Sequence, residues 1–173
     1  MRKCVFLDRD GVINFDKVDY VYSIEEFKII PGVLDALQLL KSKGFLLIVI
    51  TNQSGISKGI YTHKEVMMCH DYFNMVSGNL IDDYYYSPYH ESFTQSLSRK
   101  PDSLLFEKAI AKYKIDAAKS WMVGDHVRDL IPAKKLGIHT IGIGTDQNFK
   151  GYADFVCNDL KESALKIAQS DAL

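Results

Sequence analysis

Residues 45–50, Phe-Leu-Leu-Ile-Val-Ile, form an unbroken apolar run of strand length. No other stretch constrains the fold as much. A half-buried strand alternates apolar and polar residues, whereas a continuous run needs apolar cover on both faces, as in a parallel sheet flanked by helices. Shorter apolar runs recur at 4–7, 121–123 and 140–143, Tyr84-Tyr85-Tyr86 is β-prone, and residues 153–157 read as a last strand. Helical patterns fall between them. Val33, Leu34, Leu37 and Leu40 recur at helical spacing, with Gly44 placed to close the helix. Thr62 and Glu65 form a capping box that opens a helix running to about residue 80. Pro101 sits at a helix start, with Leu105, Ala109, Ile110 and Tyr113 as the inner face. Residues 130–136 and 160–168 read as two more helices, and Pro132 fits the first of these only within its first turn.

This alternation predicts an α/β fold: a Rossmann-like three-layer sandwich with a mostly parallel central sheet and helices on both faces. A length of 173 residues suits one domain, here taken as 1–173. The intervals from Asp10 to Thr51 and from Thr51 to Lys100 are filled by the core's own elements. They leave no room for a separate cap domain, so the functional edge of the sheet is roofed only by loops at about 14–24 and 87–100.

The net charge of −1 argues against nucleic acid as a partner. No apolar stretch approaches the roughly 20 residues of a membrane span, and the basic start Met1-Arg2-Lys3 leads into a strand too short for a signal sequence. Cys4, Cys69 and Cys157 are odd in number and far apart, as expected of reduced thiols. A cytoplasmic monomer acting on a small molecule is the expectation.

Polar clusters follow four of the strands, where ligands of open α/β sheets bind. Asp8-Arg9-Asp10-Gly11 comes directly after the first strand. Two carboxylates this close repel unless a cation lies between them, which points to Mg²⁺ with its oxygen preference; a solvated turn is the competing reading. Thr51-Asn52-Gln53-Ser54-Gly55 offers hydroxyls, amides and backbone N–H groups to a phosphoryl oxygen, or is an ordinary turn. Arg99-Lys100 precedes a helix, where charge and dipole attract an anion; the alternative is a solvated basic pair. Gly124-Asp125, with Asp129, either completes an oxygen-ligand metal shell or supplies an N-cap. Four such clusters in this order outweigh each one taken alone.

That order resembles the haloacid dehalogenase-like phosphatases, whose four motifs match Asp8-x-Asp10, Thr51, Lys100 and Gly124-Asp125-x-x-x-Asp129. The stretches Phe6-Leu7-Asp8-Arg9-Asp10-Gly11-Val12-Ile13-Asn14, Thr51-Asn52-Gln53-Ser54-Gly55-Ile56 and Arg99-Lys100-Pro101 resemble the branch holding the heptose 1,7-bisphosphate and histidinol-phosphate phosphatases. The resemblance implies Asp8 as nucleophile, Asp10 as general acid and base, and Thr51 and Lys100 as holders of the phosphoryl oxygens. It implies Mg²⁺ on Asp8, the Asp10 carbonyl and Asp125. Substrate contacts are expected from Asp16, Lys17, Tyr20, Asn52, Gln53, Ser54, Arg99 and His126. Heptose 1,7-bisphosphate, cleaved at the 7-phosphate, is the leading substrate; histidinol phosphate and a non-catalytic phospholigand-binding domain are the competing readings. Two features depart from the branch. Its Cys-x-His…Cys-x-Cys zinc loop reads Ser87-Pro88-Tyr89-His90 and Ser96-Leu97-Ser98 here, so no structural zinc is expected, and loop order would come from Tyr89 and Phe93 or only with substrate. His126 replaces a lysine, which weakens the expected hold on a second phosphate.

Overall fold

The structure, a computed structural model, describes residues 1–144 and 149–171. Six strands form one parallel sheet: β1 (Cys4–Leu7), β2 (Leu46–Asn52), β3 (Asp83–Ser87), β4 (Trp121–Gly124), β5 (His139–Ile143) and β6 (Phe155–Cys157). Their order is β3-β2-β1-β4-β5-β6, so the chain moves outward on one side of β1, then crosses back to β4 and moves outward on the other. The crevice between β1 and β4 is therefore the switch point where such sheets bind ligands. The pairings Leu7↔Val49 and Leu7↔Val123 bring the ends of β1, β2 and β4 level.

Side chains of the central strands alternate between two apolar layers. Val5, Leu7, Leu47 and Val49 pack with α1 (Val33–Ser42), α2 (His63–Ser77) and α5 (Leu160–Ser170). Cys4, Phe6, Leu46, Ile48 and Ile50 pack with α3 (Leu104–Tyr113) and α4 (Val127–Lys135). Burial on both faces is why the run at 45–50 carries no polar residue. The Thr62–Glu65 capping box is formed, and α2 ends at Gly78 in the left-handed conformation. Cys4, Cys69 and Cys157 are free and buried. No described helix is long and apolar enough to cross a membrane.

Two local expectations are corrected. Helix α3 begins at Leu104, not at Pro101. The Arg99 carbonyl accepts from Asp102 N at 2.8 Å, closing a turn at Pro101 before the helix can start, so Lys100 does not adjoin the helix N-terminus. Pro132 lies beyond the first turn of α4, because that helix starts at Val127 rather than Leu130. The Asp129 side chain accepts from His126 N at 3.0 Å and fixes that earlier start.

His70, buried on α2, stacks on Tyr84 with ring centroids 4.3 Å apart, and its Nε2 has no hydrogen-bond partner. Burial, reinforced by Arg9, pushes its pKa down to about 3. The unfolded chain, with an ordinary pKa near 6.5, therefore takes up this proton first, so the stabilising effect is complete above pH 6.5 and fades as pH falls toward 3. Between pH 7 and pH 5 this one group should remove about 2 kcal/mol of stability. Urea unfolding of His70→Phe across that interval should show a slope flatter by this amount; an unchanged slope would contradict the assignment.

Candidate active site

The sheet's carboxyl edge opens into a cleft of about 280 Å³ walled by residues of both loops and of the β1, β2 and β4 ends. Asp8 extends β1 by one residue, its N–H donating to Val123 O at 3.0 Å, and its side chain is buried. Burial pushes the Asp8 pKa up to about 6 against the downward pull of Lys100. Lys100 is only 1% exposed. Its ammonium donates to the Ile50 carbonyl at 2.7 Å and forms ion pairs with Asp8 Oδ1 at 2.9 Å and Asp129 Oδ1 at 2.8 Å. Burial pulls the Lys100 pKa down, but Asp129 and Asp8 overcome it and hold it above the usual lysine value. Lys100 thus reaches the cleft through Asp8 rather than from its wall.

Asp10 faces the cleft and is gripped from behind. Arg9 Nε and Nη2 reach its Oδ1 at 3.1 and 3.0 Å, Asn14 Nδ2 at 2.8 Å, and Gln53 Nε2 reaches Oδ2 at 2.9 Å. Arg9 itself is buried, tied by Nη2 to the Val21 carbonyl and lying against the Phe27 ring. Its grip on Asp10 was not anticipated from sequence; the only signal was an arginine between two acids just past a buried strand. Gln53 also departs from expectation. It is buried beneath the cleft, donating to Asp10 and Thr51 Oγ1 and accepting from Tyr61. Thr51, on the cleft wall, accepts that bond and keeps its own hydroxyl proton to donate. Asn52 touches the cleft, yet both ends of its amide pair with the backbone of Lys100 at 3.0 Å.

Asp125 follows β4, and Gly11 makes room for it. A Cβ on Gly11 would fall 2.1 Å from Asp125 Oδ2, and the glycine's φ of +82° disfavours a side chain in any case. Asp125 Oδ1 is buried without an aligned hydrogen-bond partner; His126 Nδ1 lies 2.9 Å away. Nearby Asp125 raises the His126 pKa, against burial. One ligand atom from each of Asp125, His126 and Asp129 lies within 4.8 Å of the others, but Asp129 is committed to Lys100 and His126 N. His126, not Asp125, is the N-cap of α4.

The mouth of the cleft holds Asp16, Lys17, Tyr20, Ser54, His90, Arg99 and His126. Lys17 pairs with Glu26. Arg99 meets Glu91 at 3.2 Å and the Tyr89 carbonyl at 3.0 Å. Tyr20, at φ 69°, accepts from Lys58 at 2.7 Å. The 88–99 loop is ordered by polar contacts, not by the rings of Tyr89 and Phe93, which are 41% and 63% exposed. Ser98 Oγ bonds Ser87 Oγ at 3.0 Å and Ser96 Oγ at 2.9 Å, cross-linking the loop just before Arg99 and Lys100.

A family model described as haloacid dehalogenase-like hydrolase matches residues 14–143. The chain belongs to the haloacid dehalogenase-like hydrolases. It is 38% identical over 148 residues to the protein named D-glycero-beta-D-manno-heptose-1,7-bisphosphate 7-phosphatase of Haemophilus ducreyi, covering 80% of this chain and 81% of that one. A protein of the same name from Escherichia coli O6:H1 is 36% identical over 184 aligned positions, covering 97% and 96%. The crystal structure of D,D-heptose 1,7-bisphosphate phosphatase from B. bronchiseptica, complexed with magnesium and phosphate, matches with a TM-score of 0.88 at 28% identity, covering 97% of this chain and 99% of that one. Among haloacid dehalogenase-like hydrolases this chain is thus similar to phosphatases, and it shares their six-stranded parallel architecture.

Asn52 holds Lys100 by two backbone hydrogen bonds, each contributing about 1 kcal/mol. Asn52→Ala should lose about 2 kcal/mol in urea unfolding and lower kcat for p-nitrophenyl phosphate by about tenfold or more as Lys100 loosens. A variant matching wild type in both measurements would show that the latch is dispensable.

Proposed function

We propose that this chain removes the 7-phosphate from D-glycero-D-manno-heptose 1,7-bisphosphate, with Asp8 as nucleophile and Mg²⁺ as cofactor. One observation supports this reading above others. A buried carboxylate, Asp8, is paired with a buried lysine that also meets Asp129 and the Ile50 carbonyl, and lies at the floor of an open cleft beside a second, firmly oriented carboxyl group, Asp10. That arrangement suits attack on phosphorus followed by proton transfer. The heptose substrate is supported by the names of relatives that match nearly the full chain.

In the reaction, an Asp8 oxygen bonds to phosphorus as the sugar oxygen departs, and Asp10, entering protonated, donates its proton to that oxygen. Asp10, now a carboxylate, takes a proton from water as the water oxygen attacks phosphorus and frees Asp8. Inorganic phosphate and the dephosphorylated sugar leave, and Asp10 is protonated again. Arg9, Asn14 and Gln53 are positioning residues that hold the Asp10 carboxyl at the cleft. Thr51 donates to the transferring phosphoryl group with its free hydroxyl proton. The donor set fits Mg²⁺: oxygen ligands only, with Asp125 Oδ2 seated against Gly11 where any Cβ would collide with it, and Asp125 Oδ1 buried without a hydrogen-bond partner. Asp8, the Asp10 carbonyl and Asp125 would hold the ion, which when bound neutralises phosphoryl charge. Serines and a tyrosine at the zinc-loop positions support a loop that works without zinc. Three free cysteines suit a reducing compartment, which supports a cytoplasmic location.

Phosphate release should be measured on heptose 1,7-bisphosphate, its monophosphates and histidinol phosphate. The bisphosphate should give the highest kcat/KM. Asp8→Asn should abolish turnover, and Asp10→Asn should lower kcat by about 10²–10⁴-fold. Steady turnover by Asp8→Asn would rule out the nucleophile, and preference for histidinol phosphate would rule out the substrate.

A further inference from the structure

The cleft is acidic, with Asp8 and Asp10 on its floor and Asp16 at its mouth, so a substrate carrying a second phosphate needs an unneutralised cation near the mouth. Most of the basic groups there are already engaged. Lys17 is paired with Glu26, Arg99 with Glu91, and His126 stands against Asp125. Arg128, on the first turn of α4, also lines the cleft. It is exposed, and among the described residues it makes no hydrogen bond or ion pair with an acidic group. Its guanidinium therefore keeps its full charge and both edges of its donor fork for a ligand, and an exposed position keeps the desolvation penalty small.

We propose that Arg128 is the specificity-determining contact for the phosphate that is not cleaved, binding it from the α4 side of the cleft mouth. This rests on the phosphatase reading above and deepens it, because it names the residue that separates a bisphosphate from a monophosphate. Of the substrate contacts expected from sequence, Arg99, Lys17 and His126 are the basic ones. The structure leaves the first two neutralised and points instead to the arginine two positions beyond His126.

The test compares two competitive inhibitors of p-nitrophenyl phosphate hydrolysis by the Mg²⁺-loaded enzyme: glucose 6-phosphate and glucose 1,6-bisphosphate. In wild type the bisphosphate should bind tighter by about tenfold or more, the scale of a charge-assisted hydrogen-bond pair. Arg128→Gln should bring the ratio of the two inhibition constants to within about twofold of unity. Arg128→Lys should retain part of the preference, since it keeps the charge but not the fork. A ratio near one in wild type, or a ratio that survives Arg128→Gln, would overturn the proposal. The two readings fail separately. A wild-type enzyme that hydrolyses p-nitrophenyl phosphate but not heptose 1,7-bisphosphate refutes the heptose substrate, while the inhibitor ratio still decides Arg128.

Discussion

Everything at the sheet's carboxyl edge depends on the Lys100 ammonium. Two buried carboxylates, Asp8 and Asp129, lie within 2.9 Å of it, and it donates to the Ile50 carbonyl. Without that cation two like charges would share a water-poor pocket, a situation resolved only by protonating one of them. With it, Asp8 is fixed in place and Asp129 is free to accept from His126 N, which starts α4 where it does. A residue that the family resemblance offers as a phosphate ligand is in the structure the internal counter-ion of Asp8 and, through Asp129, part of a helix cap.

The surrounding elements exist to put that ammonium in place. Its backbone is held at both N–H and C=O by Asn52 at the end of β2. The loop leading to it is cross-linked by Ser87, Ser96 and Ser98. On the other side, Gly124 lets the chain pass Asp129, since a Cβ there would fall 2.5 Å from the Asp129 side chain. A second layer repeats the pattern around Asp10, where buried Arg9 and Gln53 hold the carboxyl group as Lys100 holds Asp8. Both carboxyl groups that face the cleft are therefore held by buried cations, Lys100 and Arg9.

The fold was legible from sequence because its signals are local. Runs buried on both faces, the Thr62–Glu65 capping box and glycines at helix ends each determine structure within a few residues. The gathering of Asp8, Thr51, Lys100 and Asp125 at one edge followed from strand order. Hydrogen-bond partners were not legible, because they join residues far apart in the chain. Nothing in the sequence says that Gln53 turns inward to Asp10, that Asn52 grips the Lys100 backbone 48 positions away, or that Glu26 and Glu91 neutralise Lys17 and Arg99 at the cleft mouth. Helix boundaries shifted for the same reason. Pro101 marked a helix start by its residue type, yet the turn closed by Arg99 and Asp102 delays α3 to Leu104.

A denaturation cycle on the charge cluster tests this account most directly. Unfolding free energies of Lys100→Met, of the pair Asp8→Asn with Asp129→Asn, and of all three together would be measured at pH 7.5. Removing the cation alone leaves two buried carboxylates unpaired and should cost about 3–5 kcal/mol. Neutralising both acids in the same chain should recover most of that loss, because the repulsion is gone. If Lys100→Met is as stable as wild type, or if the triple variant is no more stable than the single one, the ammonium is not what holds this site together.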